Sequence, residues 1–486
     1  MAETSDTAKA EALTLLDLLM PKIYVVVTLT FRTTKSTPEV AQILQPGLDR
    51  LVKQLPWLAG RVFTNSPSSS SGGKGTPEIR WNEDTTSIVK LIDKGTTSAS
   101  YDASSSKGMP PPALPTDTWP VASMVDDYPP ATGAPVFAAS LFRFVDGQGV
   151  GLCVCIHHYA VDATAMGEII RLWAQNVTAE PDRAAAAAAS PWLSSVDRTT
   201  RLREAVAPFL AKASATSTDE IYARHPEYSP SPPVVPDPPF PECAFKLFKI
   251  PITRLNGWKY LCKSRMSSVG ALPTTNTLVS GIMWSAITRA RMRRDASLAD
   301  QVSQLNLAVN ARPRIREEGF PYLGNAVLIA PSRLPVRELC PPLSSAGGEE
   351  EEEDAFVNAC EVIGASTRRI DARYVAEVYS LGARTEDYST IYAGWDLFGA
   401  RDLTITSWAS LDLYETEFGE ELGRPEFVRV PPSEIGGICG VLPRRRAGRR
   451  DGNGVGEVLE VIVTLWTDDM TALVEDETWK KFAEEV

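Results

Sequence analysis

Apolar residues along this chain follow two rhythms, and the alternation between them predicts the elements. After an apolar entry segment from Leu13 to Pro21, Ile23 to Phe31 is an almost unbroken apolar and β-branched run, which reads as a buried strand. Thr37-Pro38 then marks a helix start, since Pro suits the first helical turn. Leu48, Leu51, Val52 and Leu55 follow at i, i+3, i+4 and i+7, a helix ending near Pro56. Val150 to Ile156 alternates as a second buried strand, and Met166, Ile169, Ile170 and Trp173 recur at helical spacing directly after it. A second set follows: a strand from Ala244 to Ile250, a helical face of Leu278, Ile282, Met283, Ala286, Ile287 and Ala290, and a strand from Val458 to Trp466.

Breaks in the pattern divide the chain. Asn65 to Gly75 and the proline-richer Ser104 to Pro115 read as flexible loops, and Ala184 to Ala189 as a helix extension without function. In Ser229 to Pro241 seven of thirteen residues are proline, which favours an extended, stiff crossover. The expected organisation is therefore an α/β fold of two comparable domains, 1–228 and 244–486, joined by a linker at 229–243, with the site at their interface. The acidic run Glu349 to Asp354 and the basic turn Arg444 to Asp451 read as solvated loops or helix ends.

Composition narrows the class. Of 486 residues, 43% are hydrophobic and 23% charged, as in soluble globular proteins. A formal net charge of −12 argues against a nucleic-acid or anionic-membrane partner. The segment from Met1 to Ala12 is polar, with no signal-peptide architecture, no apolar run reaches membrane-spanning length, and seven irregularly spaced cysteines suit a reducing compartment. The expected location is the cytoplasm. Asn176-Val177-Thr178 matches the glycosylation sequon, without a secretory signal to give it meaning.

Chemistry concentrates in His157-His158-Tyr159-Ala160-Val161-Asp162, which holds two of the three histidines and joins a predicted strand to a predicted helix. Such connections expose side chains at strand C-termini, where α/β proteins place reactive groups. Asp162 read alone is equally an N-cap, and a buried histidine is more often a satisfied core residue than a base. A metal on Cys153, Cys155 and His157 is disfavoured, because consecutive residues on one strand face lie about 7 Å apart. His225 is the remaining imidazole, and no metal is expected. There is no GxxxxGK[ST], GxGxxG or GxSxG, and Gly452 to Gly456 has the wrong spacing for a nucleotide loop.

The HxxxD pattern at His158 and Asp162 resembles the signature of the BAHD acyltransferases. Further segments resemble the family in the expected order: LDRLVKQLPWLAGRV from Leu48, TTNTLVSGIMWSAITRAR from Thr274, VNARPR from Val309, YLGNAV from Tyr322 and TSWASLDLYETEFGEELGRP from Thr406. The flavour is that of the fungal branch, similar to trichothecene O-acetyltransferases. The resemblance implies two domains like chloramphenicol acetyltransferase, with mixed sheets and a channel between them that admits an acyl-CoA from one side and the acceptor from the other. It implies His158 as general base and Asp162 turned away from the substrates, ion-paired with Arg312 or Arg314. Thr406 would donate to the oxyanion, with Trp408 in the site wall. Arg254, Lys259 and Lys263, with Arg265 beside them, would meet the CoA phosphates, and Ser280 the pantetheine. Glu417, Gly419 and Gly423 would form the supporting glycine loop, glutamate standing where the family usually has aspartate.

The implied activity is transfer of an acyl group, acetyl first, from acetyl-CoA or another acyl-CoA to a hydroxyl of a hydrophobic secondary metabolite. No bound cofactor is expected, and the implied partners are the acyl-CoA and a small-molecule acceptor, with a monomeric chain. Three alternatives accompany this reading: transfer to an amine, a carrier-dependent condensation-type protein, and a non-catalytic binding protein of the same fold.

Overall fold

The computed structural model describes residues 8–64, 77–82, 89–177, 189–194, 196–235, 238–266, 272–316, 319–342, 348–396, 398, 401–445 and 457–486. The expected loop at Asn65 to Gly75, most of the alanine run and the glycine-rich turn at Gly452 to Gly456 lie outside these residues.

Two mixed sheets organise the chain. The first has five strands, in the spatial order Phe427–Arg429, Tyr24–Arg32, Gly149–His157, Phe137–Arg143 and Ile92–Thr96. Its pairs are antiparallel except the last, which is parallel. Every residue of Gly149–His157 is buried, so the alternation expected there does not divide a solvent face from a core face. Helices Thr37–Gln54 and Ala163–Val177 cover one face of this sheet. The first begins as the sequence indicates: Ser36 and Glu39 form a reciprocal capping box, with proline in the opening turn.

The second sheet has seven strands, in the order Val327–Pro335, Val302–Asn310, Leu403–Ser407, Ile438–Val441, Val458–Trp466, Cys243–Pro251 and Glu484–Glu485. Leu403–Ser407 runs parallel to both of its neighbours, and the other pairs are antiparallel. Helix Thr275–Arg294 is buried nearly all round, as its weak amphipathicity requires. The acidic run opens helix Gly348–Arg369, where carboxylates suit the N-terminal end of the dipole.

Two sequence expectations are corrected. Ser104 to Pro115 is not a free loop: it contains the end of helix Tyr101–Ser106 and a short turn at Pro111–Ala113, and Tyr101, Met109 and Ala113 are buried against Phe142 and Phe144. Nor does a cut at 229–243 separate the two cores. Leu16, Leu202 and Val206 pack into the core of the second sheet, while Trp408, Leu413, Phe418, Leu422 and Val428 pack into that of the first. The cause is apolar complementarity. Phe418 stands edge-on to both Phe31 and Trp173, with ring centroids 5.6 and 6.1 Å away.

Candidate active site

The strand Gly149–His157 ends where its hydrogen bonding passes to a turn. His157 N–H still donates to Val136 O at 2.8 Å and His158 N–H to Ile23 O at 2.9 Å. The carbonyl of His157 then accepts from Ala160 N–H at 2.8 Å and from Val161 N–H at 3.3 Å, closing the turn. Helix Ala163–Val177 follows at once.

Asp162 is both things the sequence left open. Its Oδ1 accepts from Ala165 N–H at 2.9 Å, as an N-cap does. Its Oδ2 accepts from Ala326 N–H and from Arg312 Nη1, each at 2.9 Å. Both members of the ion pair are only 3% exposed. Arg312 is held in turn by Tyr322 O at 2.8 Å and Gly324 O at 2.7 Å, so its donors are spent on acceptors at fixed positions. Arg314 makes no such pair: its guanidinium donates to Ile370 O at 3.1 Å and to Thr367 O, bracing the end of helix Gly348–Arg369. Of the two alternatives for the partner of Asp162, Arg312 and Arg314, the structure has Arg312.

His158 is half-buried, and its Nδ1 lies 3.0 Å from Val161 O. A carbonyl oxygen only accepts, so Nδ1 carries the hydrogen and Nε2 keeps the lone pair. Burial lowers the pKa of His158 below the ordinary imidazole value, against the opposing charge of Asp162. The ring is therefore neutral at pH 7, with a free basic nitrogen.

Residues that sequence reasoning missed fix the turn from behind. Asn325 Nδ2 donates to His158 O at 2.8 Å and to Asp17 Oδ1 at 2.8 Å. Asp17 is fully enclosed, capped by Thr14 and 3.9 Å from Arg198 Nη1; burial pushes its carboxyl pKa up, and Arg198 opposes this. Arg198 also donates to Ala160 O at 2.8 Å, inside the turn itself. Asn325 lies in the YLGNAV segment, the only signal the sequence carried for any of the three.

Thr406 sits in strand Leu403–Ser407 opposite Gly440, half-buried, and its hydroxyl has no protein partner among the described residues. Trp408, expected in a wall, is 6% exposed and packs in the core of the first sheet. Arg254, Lys259 and Lys263 lie along helix Ile252–Arg265. Arg254 is paired with Glu484, and Arg265 with Glu353 and Asp354, so acidic neighbours already occupy two of the four cations. Ser280 is fully buried on the adjoining helix, with its hydroxyl unpartnered.

The glycine loop turns through Gly419 at φ 82° and Gly423 at φ 70°, backbone that glycine adopts freely. Phe418 N–H donates to Gly423 O and Gly423 N–H to Gly419 O, both at 2.8 Å. Glu417 forms no ion pair or side-chain hydrogen bond among the described residues, so there is no short pair for the longer side chain to disturb. Among the described residues no three or more His, Cys, Asp or Glu side chains cluster to hold a metal, and no helix is long and apolar enough to cross a membrane.

The profile of the Transferase family matches residues 3–479. An O-acetyltransferase, ptmV of Penicillium ochrochloron, is 26% identical over 98% of this chain and 96% of its own length. Putrescine hydroxycinnamoyltransferase 1 of Oryza sativa is 25% identical over 93% of this chain and 90% of its own. Among solved structures, TRI101 of Fusarium sporotrichioides, complexed with coenzyme A and T-2, superposes with a TM-score of 0.77 at 21% identity, covering 98% of this chain and 99% of the other. A profile that spans nearly the whole chain, around a turn in which Asp162 faces inward and His158 keeps an open nitrogen, makes this protein a member of the Transferase family, the BAHD acyltransferases.

Proposed function

We propose that this protein transfers an acetyl group from acetyl-CoA to a hydroxyl of a hydrophobic secondary metabolite, with His158 as general base. The observation that carries the reading is the 3.0 Å contact between His158 Nδ1 and Val161 O, which leaves Nε2 as the acceptor for the proton of the attacking hydroxyl. In this mechanism both substrates are bound together, in a channel between the two sheets. The acceptor oxygen attacks the thioester carbonyl as His158 takes its proton. The tetrahedral intermediate then collapses, and the proton passes to the departing CoA thiolate. Thr406 is the candidate donor to the oxyanion, its hydroxyl being otherwise uncommitted. Lys259 and Lys263 are the better candidates for the CoA phosphates, because neither has an ion-pair partner among the described residues. Asp162, Arg312 and Asn325 position the base and do not touch substrate.

An amine acceptor is the second reading, favoured by the similarity to the rice putrescine acyltransferase. The same base and oxyanion donor would serve it.

Thermal unfolding with acetyl-CoA and with free CoA tests the donor side without knowledge of the acceptor. A ligand at about a hundred times its dissociation constant adds roughly 2.7 kcal/mol to the folded state. A raised midpoint, followed by CoA release with hydroxylated terpenoids or polyketides, supports O-acetylation. Release with polyamines alone favours the second reading, and no midpoint shift with any acyl-CoA counts against both.

A further inference from the structure

Two arginines meet the turn that carries His158. Arg312 pairs with Asp162 at its end, and Arg198 Nη1 donates to Ala160 O within it at 2.8 Å. By local rules Arg198 is out of place. It is the first residue of helix Arg198–Ala215, where the dipole disfavours a cation, and it is only 6% exposed. Two carboxylates of the N-terminal segment meet its charge: Nη1 stands 3.9 Å from Asp17 Oδ2 and Nε 3.4 Å from Glu11 Oε2. Its guanidinium lies over Trp57, 5.0 Å from the ring centroid. Asp17 is itself saturated. Its Oδ1 accepts from Asn325 N–H at 2.9 Å and Asn325 Nδ2 at 2.8 Å, and its Oδ2 from Thr14 N–H at 2.7 Å and Thr14 Oγ1 at 2.8 Å. Four donors on two oxygens leave no place for a proton, so the group is a carboxylate. Natural chains break local rules of this kind at functional sites.

What these groups hold are the two carbonyls on either side of Tyr159. A carbonyl in a tight turn has no ladder partner and needs a donor from elsewhere. Asn325 Nδ2 supplies His158 O at 2.8 Å, and Arg198 supplies Ala160 O. The second bears directly on the ring. Ala160 O belongs to the peptide immediately before Val161, and Val161 O is the acceptor 3.0 Å from His158 Nδ1. The residue after Val161 is Asp162, held by Arg312. The acceptor of the ring hydrogen is thus bracketed along the chain by two arginines. The hydrogen bond at one ring nitrogen sets the state of the other. A Val161 carbonyl free to turn away would release the hydrogen to Nε2, the nitrogen that the reaction needs bare.

We propose that Arg198 and Asp17, with Asn325 between Asp17 and the turn, form a second positioning unit for the base, one that fixes the Val161 carbonyl and through it the tautomer of His158. The inference rests on the reading of His158 as general base. Nitrogen spectra of the full chain carrying isotope-labelled histidine report the tautomer and need no acceptor, with His158→Ala identifying the signal among the three histidines. The wild type should carry the His158 hydrogen on Nδ1. Arg198→Met and Asn325→Ala should each move it toward Nε2. With the best acceptor of the CoA-release screen, kcat should fall about 10²-fold in Arg198→Met and about tenfold in Asn325→Ala, both KM values staying within about twofold. An unchanged tautomer in the folded variants overturns the unit whatever kcat does, since a merely structural loss lowers kcat without moving the ring hydrogen. A shifted tautomer with wild-type kcat upholds the unit and sinks His158 as the base. Retention of the acetyl-CoA midpoint shift verifies folding. Asn325→Ala removes a neutral donor and leaves Arg198 beside Asp17, so it carries the test where Arg198→Met does not fold.

Discussion

His158 and His225 are both anchored imidazoles, and the contrast between them is what favours His158 as the proposed base. His225 is fully buried with both ring nitrogens occupied, Nδ1 3.1 Å from Glu227 Oε1 and Nε2 3.0 Å from Glu377 Oε2. Tyr374 shares Glu227, and Arg224 and Arg373 approach Glu377 at 3.3 and 3.2 Å. No lone pair or N–H remains for a substrate, and the cluster knits the helix Thr218–Arg224 to Ala372–Arg384. At His158 one nitrogen is fixed by a backbone carbonyl and the other is left open. Hydrogen bonding is common to both; a single uncommitted nitrogen is what separates the proposed base at His158 from the rivet at His225.

The largest test of this contrast is removal of each ring. His158→Ala should lower turnover by about 10² to 10⁴-fold while acetyl-CoA still raises the unfolding midpoint; near wild-type turnover would end the assignment. Arg312→Met strands a buried carboxylate at Asp162 and should cost roughly 3–5 kcal/mol in urea unfolding. Arg314→Met removes hydrogen bonds to two carbonyls and should cost about 1 kcal/mol, so equal losses would deny the pairing. His225→Phe leaves two buried carboxylates without their imidazole partner and should cost about 1–3 kcal/mol, with kcat unchanged in the protein that remains folded.

Acid should sharpen the comparison further. Burial lowers the pKa of His157 to about 3 and that of His158 below its ordinary value. The unfolded chain therefore binds protons below pH 6.5 that the native chain refuses. This contribution is intact above the unfolded pKa and is lost as pH falls toward the folded values, by at most about 1.4 kcal/mol per pH unit for each histidine. Urea unfolding of wild type and His157→Asn at pH 7 and pH 5 should show the wild type losing more stability; equal losses would mean that His157 is not held neutral. The acid limb of kcat/KM should fall below the free imidazole value, and His225→Phe should not move it. The smallest effect is at the surface: charge reversal at Lys259 or Lys263 should raise the acetyl-CoA KM several-fold in low salt and less in high salt, whereas no change would remove that lysine from the phosphate site.

What could be read from the chain was local. HHYAVD lies where a strand pattern meets a helix pattern, and the structure has strand Gly149–His157 and helix Ala163–Val177 on either side of it. Strand Val458–Trp466 keeps its expected bounds. Choosing between Arg312 and Arg314 was beyond pattern, because both lie on one four-residue helix and only its docking decides which faces Asp162. The pairing of Asp17 with Asn325 was invisible for a related reason, although Asn325 lies in the YLGNAV segment: the bond joins positions 308 residues apart. Trp408 was expected in a wall and packs in the core, since an aromatic residue after a strand suits either place until the neighbouring sheet is known.

The short strand Phe427–Arg429 has a consequence for biosynthesis. It pairs with Tyr24–Arg32 and completes the first sheet from a point nearly four hundred residues downstream of it. During translation the edge of Tyr24–Arg32 that Phe427–Arg429 will cover stays open while the ribosome makes nearly four hundred further residues, a long exposure for an apolar strand. The nascent first half is therefore a natural client for chaperones, and release from them should coincide with emergence of the segment around Phe427.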